Sequence, residues 1–352
     1  MELDHRVTEF LKDTKGLFIN GKFVPSVSGE TFKSYNPADE SVLAEVSKGN
    51  KDDIDLAVKA ARKAFDSGAW RLMTASERSR YIYKLADKME EHKLALAQLE
   101  TLDNGKPVSE TLNADVALAI EHFRYFAGWA TKITGQTIPV NGNFLNYTLH
   151  EPIGVVGQII PWNFPLLMAA WKLGASLAVG CTVVLKPASY TPLSALYLAK
   201  LIQEVDFPEG VINIVPGPGG ETGDALVEHV LVDKIAFTGS TIIGKEIMQK
   251  ASKTLKRVTL ELGGKSPNIV LPDADIKRAV AGISHGIMFN QGQVCCAGSR
   301  AFVHKSMYDK FVSELREYTK KIKQGNGLLK NTVMGPLVSQ KQQQDVLKYV
   351  AK

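Results

Sequence analysis

The spacing of apolar side chains changes character near residue 155. Before it, residues 17–24 read "LFINGKFV", with apolar side chains flanking Asn20-Gly21, a pair suited to the backbone of a two-residue hairpin. From Asp52 the apolar positions fall at three- and four-residue intervals: Ile54, Ala57, Val58, Ala61, Ala64 and Phe65. That spacing predicts an amphipathic helix ending near Gly68. Two more long helical segments are predicted, in "RYIYKLADKMEEHKLALAQLETL" and "ADVALAIEHFRYFAGWA". Residues 145–150, "LNYTLH", predict a strand or arm, punctuated by Pro152 and Gly154.

Beyond that point short β-branched runs appear: "VVGQII" (155–160), "TVVLK" (182–186), "VINIV" (211–215), "KIAFTG" (234–239) and "RVTLEL" (257–262). Helical stretches such as "LLMAAWKLGASLAV" and "PLSALYLAKLIQEV" lie between them. Strands alternating with helices predict βαβ units and a parallel sheet buried on both faces. In such sheets ligands bind beyond the carboxyl ends of the strands. Asn163 follows the first strand, Ser189 the second, Gly217 and Gly219 the third and Gly239 to Gly244 the fourth, while Glu261 ends the fifth. A helix from Ile276 to Phe289 then leads into "FNQGQVCCAGSR", followed by a strand in "RAFVH" and a further amphipathic helix. The last stretch predicts a helix with Ser339 as N-cap and Val346, Leu347 and Val350 on one face. No Gly or Pro stops it, so the chain is expected to end within an element.

At 352 residues the chain has room for two domains or one large α/β domain. Its 42 basic and 37 acidic residues are scattered in mixed sign apart from "KKIK" at 320–323. The clustered basic stripe of a nucleic-acid reader is missing. No apolar run approaches a membrane span, and the N-terminal segment lacks a signal-peptide core. Three cysteines, two of them adjacent, do not make a disulfide framework, and a reducing, cytoplasmic setting is expected. The seven histidines are far apart, with no HxxxH, CxxC or EF-hand spacing, so no metal site is expected.

Four segments carry candidate chemistry. Cys295 and Cys296 stand in a Gly-rich polar run, too close to bridge each other comfortably. Such a run offers a cysteine the exposure and backbone N–H groups a nucleophile needs, although a lone loop cysteine is more often incidental. Glu261 closes a strand just before Gly263-Gly264. There it reads either as a partly desolvated general base or as a strand-end glutamate paired with a lysine. "FTGSTIIGKEI" sends a strand through glycines into a helix, as a phosphate-binding turn or an ordinary tight turn does. It matches neither GxGxxG nor the Walker pattern, since Gly244-Lys245 is followed by Glu246. In "IIPWNFP", Pro161 and Pro165 hold Asn163 in a rigid turn. Its amide could donate to an oxyanion or make an Asx-type turn.

In succession, "PWNFP", "LKPASYTPLSAL", "FTGSTIIG", "LELGGKSPNIV" and "NQGQVCCAG" resemble the NAD(P)-dependent aldehyde dehydrogenase superfamily, in its non-acylating, hydrolytic branch. The resemblance runs from "FINGKFV" to the end of the chain. It implies an α/β fold: a Rossmann-like parallel-sheet cofactor domain plus the beginning of a second α/β catalytic domain. Residues 1–130 would be the amino-terminal part of the cofactor-binding domain and 131–152 a bridging or oligomerisation arm. Residues 153–263 would form the Rossmann-like dinucleotide-binding domain, and 264–352 an incomplete catalytic domain. Relatives continue well beyond this length, so the chain is read as C-terminally truncated, and its catalytic competence is in question.

The resemblance also implies roles. Cys295 would be the nucleophile, with Cys296 as small filler. Asn163 and the Cys295 backbone N–H would form the oxyanion hole, Glu261 would activate the hydrolytic water, and Lys172 would support the site. NAD or NADP would be held by Ile159, Ile160, Pro161, Trp162, Lys186, Ser189, Gly219, Gly239, Ser240, Gly244 and Leu262. Phe164, Met168, Trp171 and Phe289 would line a substrate tunnel suited to neutral aliphatic or aromatic aldehydes. A homodimer or homotetramer is implied, with no nucleic-acid or membrane partner. Two other classes remain open: a non-catalytic relative or binding module that keeps the fold, and a thiol hydrolase using Cys295 with His285 or His304. The intact Cys295, Glu261 and Asn163 set argues against the first, and the five βα units against the second.

One position departs from the NAD-strict pattern, which carries a glutamate three residues after the lysine of "LKPASY". Here Lys186 is followed by Pro187, Ala188 and Ser189. A carboxylate would repel a 2′-phosphate; a serine hydroxyl does not, and Lys186 is read as a nearby cation. NADP is therefore expected to be accepted. Dissociation constants for NAD and NADP measured side by side check this, and NAD binding more than about tenfold tighter, roughly 1.4 kcal/mol, would refute it.

Overall fold

The computed structural model describes residues 2–351. Its strands, in chain order, are β1 (Leu17–Ile19), β2 (Lys22–Val24), β3 (Thr31–Tyr35), β4 (Val42–Ser47), β5 (Thr137–Ile138), β6 (Asn146–Tyr147), β7 (Val155–Ile159), β8 (Thr182–Lys186), β9 (Ile212–Ile214), β10 (Lys234–Gly239), β11 (Arg257–Leu262), β12 (Pro267–Val270) and β13 (Arg300–Val303). Seven of them form one sheet in the order β11-β10-β7-β8-β9-β1-β2. The five strands read from β-branched runs are its parallel members. The Asn20-Gly21 hairpin, β1–β2, extends the same sheet antiparallel to β9. The order reverses at β7, and this reversal opens the crevice in which open α/β sheets bind ligands.

Alternation along the strands feeds two apolar layers. Val184 belongs to the layer that holds Ile54, Val58 and Leu226, whereas Val183 and Leu185 belong to the one that holds Leu196, Leu173 and Phe123. The first layer is covered by the predicted helix Lys51–Ser67, whose capping box joins Asn50 and Asp53. The second is covered by Ala75–Glu91, Lys93–Asn104, Ala117–Trp129, Pro165–Ala178 and Leu193–Glu204. The run predicted as one helix over residues 80–102 is divided at His92, whose φ/ψ of −103/13 leave the helical range and whose Nδ1 lies 2.8 Å from the Tyr197 hydroxyl.

Burial on both faces holds for β7, β8 and β9 but not for β11. That strand is the sheet's edge and alternates exposed with half-buried positions. Parallel β12 and β13 start a second α/β unit, packed by Ile276–Met288 and Tyr308–Thr319 around Val270, Val280 and Phe311. The mixed α/β class expected from the sequence is thus the class observed. Residues 131–151 are exposed throughout, and "LNYTLH" contributes only Asn146–Tyr147 to a two-residue ladder. Ser339 caps Gln340–Val350 as expected, and Val346, Leu347 and Val350 on that helix are exposed. Among the described residues no helix is long and apolar enough to cross a membrane.

Leu185 is fully buried at the centre of the parallel sheet. Leu185→Ala is expected to lower unfolding stability by about 2–5 kcal/mol, read as a lower urea midpoint at unchanged slope.

Candidate active site

The carboxyl end of β7 turns through Ile160-Pro161-Trp162-Asn163 before Pro165 opens the next helix at its first position. Side chains from outside the turn hold it. The Trp162 carbonyl accepts from Asn104 Nδ2 at 2.9 Å and Thr191 Oγ1 at 3.3 Å. The Asn163 carbonyl accepts from Asn290 Nδ2 at 2.9 Å and from Lys106 Nζ at 3.1 Å. Glu100 Oε2 accepts from the Leu166 N–H at 3.1 Å, one of the free donors at the helix start. The Asn163 side chain makes no Asx-type turn. Its Nδ2 donates 2.8 Å to the Gln293 carbonyl, 130 residues further along the chain and two before Cys295.

The cysteine loop begins with three consecutive left-handed residues, Asn290 (φ 46°), Gln291 (φ 56°) and Gly292 (φ 76°). Cys295 and Cys296 follow, both free and both exposed. Exposure of Cys296 corrects its reading as filler. Partial burial, followed by the neighbouring Cys296, pushes the Cys295 thiol above its ordinary value. Backbone N–H groups of Cys295 and Cys296 pull the other way, without overcoming that burial. The Cys295 carbonyl accepts from the Gly264 N–H at 3.0 Å, tying the loop to the residues that follow β11. Glu261, near the end of β11, is exposed rather than partly desolvated, because it lies on the sheet's edge strand. It has no ion-pair partner among the described residues. It does act on Lys172, whose half-buried ammonium is pushed down to about 8 by burial while the Glu261 charge opposes the fall. Neither histidine of the hydrolase reading serves Cys295: the His285 ring lies 5.6 Å from that of Phe289, and His304 Nδ1 lies 2.8 Å from Ser306 Oγ.

The tunnel candidates divide. Phe164 and Phe289 stack at 6.1 Å, and Met168 is buried behind them in the core. Trp171, two helical turns from Phe164, lies at the surface against His122 at 6.0 Å.

The cofactor candidates gather at the strand ends. Ile159 and Ile160 are buried, and the Ile160 N–H donates 3.2 Å to the Lys186 carbonyl. Pro161 and Trp162 are half-buried beside them. Lys186 is not the nearby cation its sequence position suggested. It is buried, donates to the Pro187 and Gly217 carbonyls at 2.8 and 3.0 Å, and is pushed down to about 8 by that burial. Ser189 Oγ donates to the same Gly217 carbonyl at 2.9 Å. Ser240 caps the helix Thr241–Ala251 through the Ile243 N–H. A Cβ on Gly244 would meet Leu262 at 2.8 Å, so glycine lets that helix close onto β11. Around Gly219 and Gly220 no atom lies within 4 Å of where a Cβ would stand, leaving their backbone open to a ligand. A cleft of about 1460 Å³ is lined by Ser189, Gly264 and Val294 together with Phe32, Met334 and Tyr349; Gly219, Gly220, Gly244 and Cys295 itself do not line it.

Sequence reading passed over Lys106, Glu110, Asn290 and Gln293, which hold the catalytic candidates in place. Lys106 and Asp115 form an ion pair with both side chains fully buried. The Asn290 backbone N–H donates 3.3 Å to Glu110 Oε2. The available signals were the Asn-Gln-Gly run at 290–292, suited to left-handed backbone, and the charges packed around "DNGKP" at 103–107.

Comparison with known proteins defines the class as an α/β oxidoreductase. The aldehyde dehydrogenase family model matches residues 23–352. A Bacillus subtilis protein, DhaS, named as an aldehyde dehydrogenase, is 64% identical over 352 residues, covering 100% of this chain and 71% of its own length. Human aldehyde dehydrogenase 1A1 is 54% identical over 333 residues, covering 94% of this chain and 66% of its own. The solved NAD+ complex of a Bacillus cereus aldehyde dehydrogenase superposes with a TM-score of 0.98 at 57% identity, covering 100% of this chain and 72% of that one. The chain belongs to the aldehyde dehydrogenase family, the NAD(P)-dependent enzymes that oxidise aldehydes.

Burial, then the charge of Asp115, pushes the Glu100 carboxyl up to about 8. The folded chain therefore keeps a proton there that the unfolded chain has released above about pH 4.5. The associated stability is full below that pH and is lost as pH rises through about 8. Urea unfolding at about pH 5 and about pH 8 is expected to show a smaller loss for Glu100→Gln than for wild type; an equal loss would contradict the assignment.

Proposed function

We propose that this chain oxidises aldehydes to carboxylic acids through a covalent intermediate on Cys295, with Asn163 and the Cys295 N–H as oxyanion donors and Glu261 as general base. The observation that carries this reading is the pair of hydrogen bonds converging on one loop. Asn163 Nδ2 donates to Gln293, and Gly264, three residues after Glu261, donates to Cys295. Three candidates from distant parts of the sequence are thereby joined.

The Cys295 sulfur attacks the aldehyde carbon as its proton passes to solvent water; the S–C bond forms, the carbonyl π bond breaks and a thiohemiacetal oxyanion results. The Asn163 amide, with one N–H committed to Gln293, has the other left for the developing oxyanion. A nicotinamide held at these strand ends would supply the acceptor for the hydride whose departure turns the thiohemiacetal into a thioester. Glu261 then takes a proton from water, which attacks the thioester carbon and releases the acid and the thiol. Lys172 keeps positive charge near Glu261, and burial makes that charge easy to lose. Phe164 and Phe289 present a stacked aromatic wall, suited to apolar aldehydes.

The strand-end loops fit a dinucleotide. Gly219 and Gly220 leave backbone open, and the helix beginning after Ser240 presents N–H groups of the kind that hold a pyrophosphate. Ser189 brings no negative charge to repel a 2′-phosphate. With Lys186 occupied by carbonyls, acceptance of NADP rests on that missing repulsion alone. We retain the division at residues 130, 152 and 263 into amino-terminal part, arm, Rossmann-like domain and catalytic segment. The exposed apolar side chains of the arm, among them Phe144, Leu145 and Leu149, suit self-association as a dimer or tetramer.

Single-turnover reduction of NAD or NADP with a simple aliphatic aldehyde tests the reading. A burst of reduced cofactor is expected from wild type and none from Cys295→Ala. A burst that survives the substitution sinks the cysteine mechanism, and no burst from folded wild type refutes the activity proposed for this chain.

A further inference from the structure

We propose that Asn290 is a positioning residue for the oxyanion site, fixing which end of the Asn163 amide faces the substrate. The proposal rests on the reading of Asn163 as an oxyanion donor. Asn290 is fully buried, and its Nδ2 donates to the Asn163 carbonyl at 2.9 Å and to the Gln293 carbonyl at 3.3 Å. The Gln293 carbonyl is also the acceptor for Asn163 Nδ2 at 2.8 Å. One carbonyl thus gathers both amides. Only the nitrogen end of the Asn163 amide can face an acceptor, so the position of the Gln293 carbonyl selects the amide orientation and leaves one N–H for the substrate. Asn290 fixes that carbonyl and, at the same time, the backbone from which the Asn163 side chain springs.

The surroundings constrain Asn290 from every side. Its backbone N–H donates to Glu110 at 3.3 Å, and its carbonyl accepts from the Gln293 N–H at 2.9 Å. The other donor to Asn163 O is the buried Lys106 ammonium, which also lies 3.9 Å from the centre of the Phe164 ring. Asn290 holds φ at 46°, a conformation that glycine adopts freely and asparagine tolerates better than most side chains. If Asn290 served only to permit that turn, glycine would serve at least as well. Asn290→Gly separates the two roles, since it keeps the backbone conformation and removes the amide.

The test compares two reactions of Cys295 in the full chain, in a Cys296→Ser background, followed by peptide mass spectrometry. Acylation by p-nitrophenyl acetate forms the S–C bond through an oxyanion and expels p-nitrophenolate. Alkylation by iodoacetamide displaces iodide and builds no oxyanion. Loss of one oxyanion donor commonly costs about 100-fold or more. Asn163→Ala and Asn290→Gly are each expected to slow acylation by at least about tenfold with alkylation nearly unchanged. Asn290→Asp, which tolerates the same backbone but offers carboxylate oxygens to two carbonyls, is expected to do the same. If Asn163→Ala lowers the ratio and Asn290→Gly does not, the positioning role is overturned while the reading of Asn163 stands. An unchanged ratio in Asn163→Ala removes that reading and the proposal with it. If Asn290→Gly slows both reactions in parallel, the loop has collapsed, and Asn290 is merely structural.

Discussion

The buried Lys106 ammonium organises the turn that follows β7. Lys106 is fully buried with Asp115 and reaches the Asn163 carbonyl at 3.1 Å. Removing such a charge from water is expensive, and the pair is tolerable only where geometry and further hydrogen bonds compensate. Here the compensation comes from the Asp115 carboxylate, a turn carbonyl and the face of Phe164. Glu100 Oε1 and Asp115 Oδ1 are both buried without another hydrogen-bond partner, and the upward shift of Glu100 fits a proton shared between the two carboxyls. The cluster thus holds its charges in balance. Its one outward-acting consequence is a rigid Asn163 turn.

That turn matters because of where the sheet puts it. Strand order reverses at β7, so the loops after β7 and β10 diverge and leave a crevice between them. Small residues then set the distances. Gly244 lets its helix close onto Leu262, and Gly219 and Gly220 leave backbone uncovered. The cysteine loop approaches from the second α/β unit and is fastened at two points, Gln293 to Asn163 and Cys295 to Gly264. The scaffold is thus continuous from the core of the sheet to the cysteine loop, as the role proposed for Cys295 requires.

Much of this was legible in the sequence, for identifiable reasons. Short β-branched runs marked the five parallel strands, and three- and four-residue spacing marked the helix Lys51–Ser67. Motif order pointed to the family. What escaped were facts of three-dimensional neighbourhood. Nothing local says that Lys186 turns inward onto Gly217, since a strand-end lysine in solvent has the same sequence. The break at His92 falls where its ring meets the Tyr197 hydroxyl, 105 residues away. Asn290 looks like an ordinary loop residue until the turn after β7 is placed beside it. The alternation in "RVTLEL" was the local sign of a strand covered on one face only, yet burial on both faces was assigned to β11 and partial desolvation to Glu261.

The electrostatics of the cysteine follow from the same arrangement. Its thiol is held above its ordinary value by partial burial and by Cys296, so at neutral pH it rests protonated. A resting thiol oxidises less readily than a thiolate, and in an exposed loop that difference is useful. It also moves the demand for stabilisation from the ground state to the moment of attack. On the proposed mechanism the negative charge appears on the substrate oxygen, where a fixed amide and a backbone N–H are waiting. Donors aimed at a charge that exists only in the transition state lower the barrier without over-stabilising what precedes it. A rigid Asn163 turn and an unactivated Cys295 are therefore two sides of one design, and loosening the first would leave the second without its compensation.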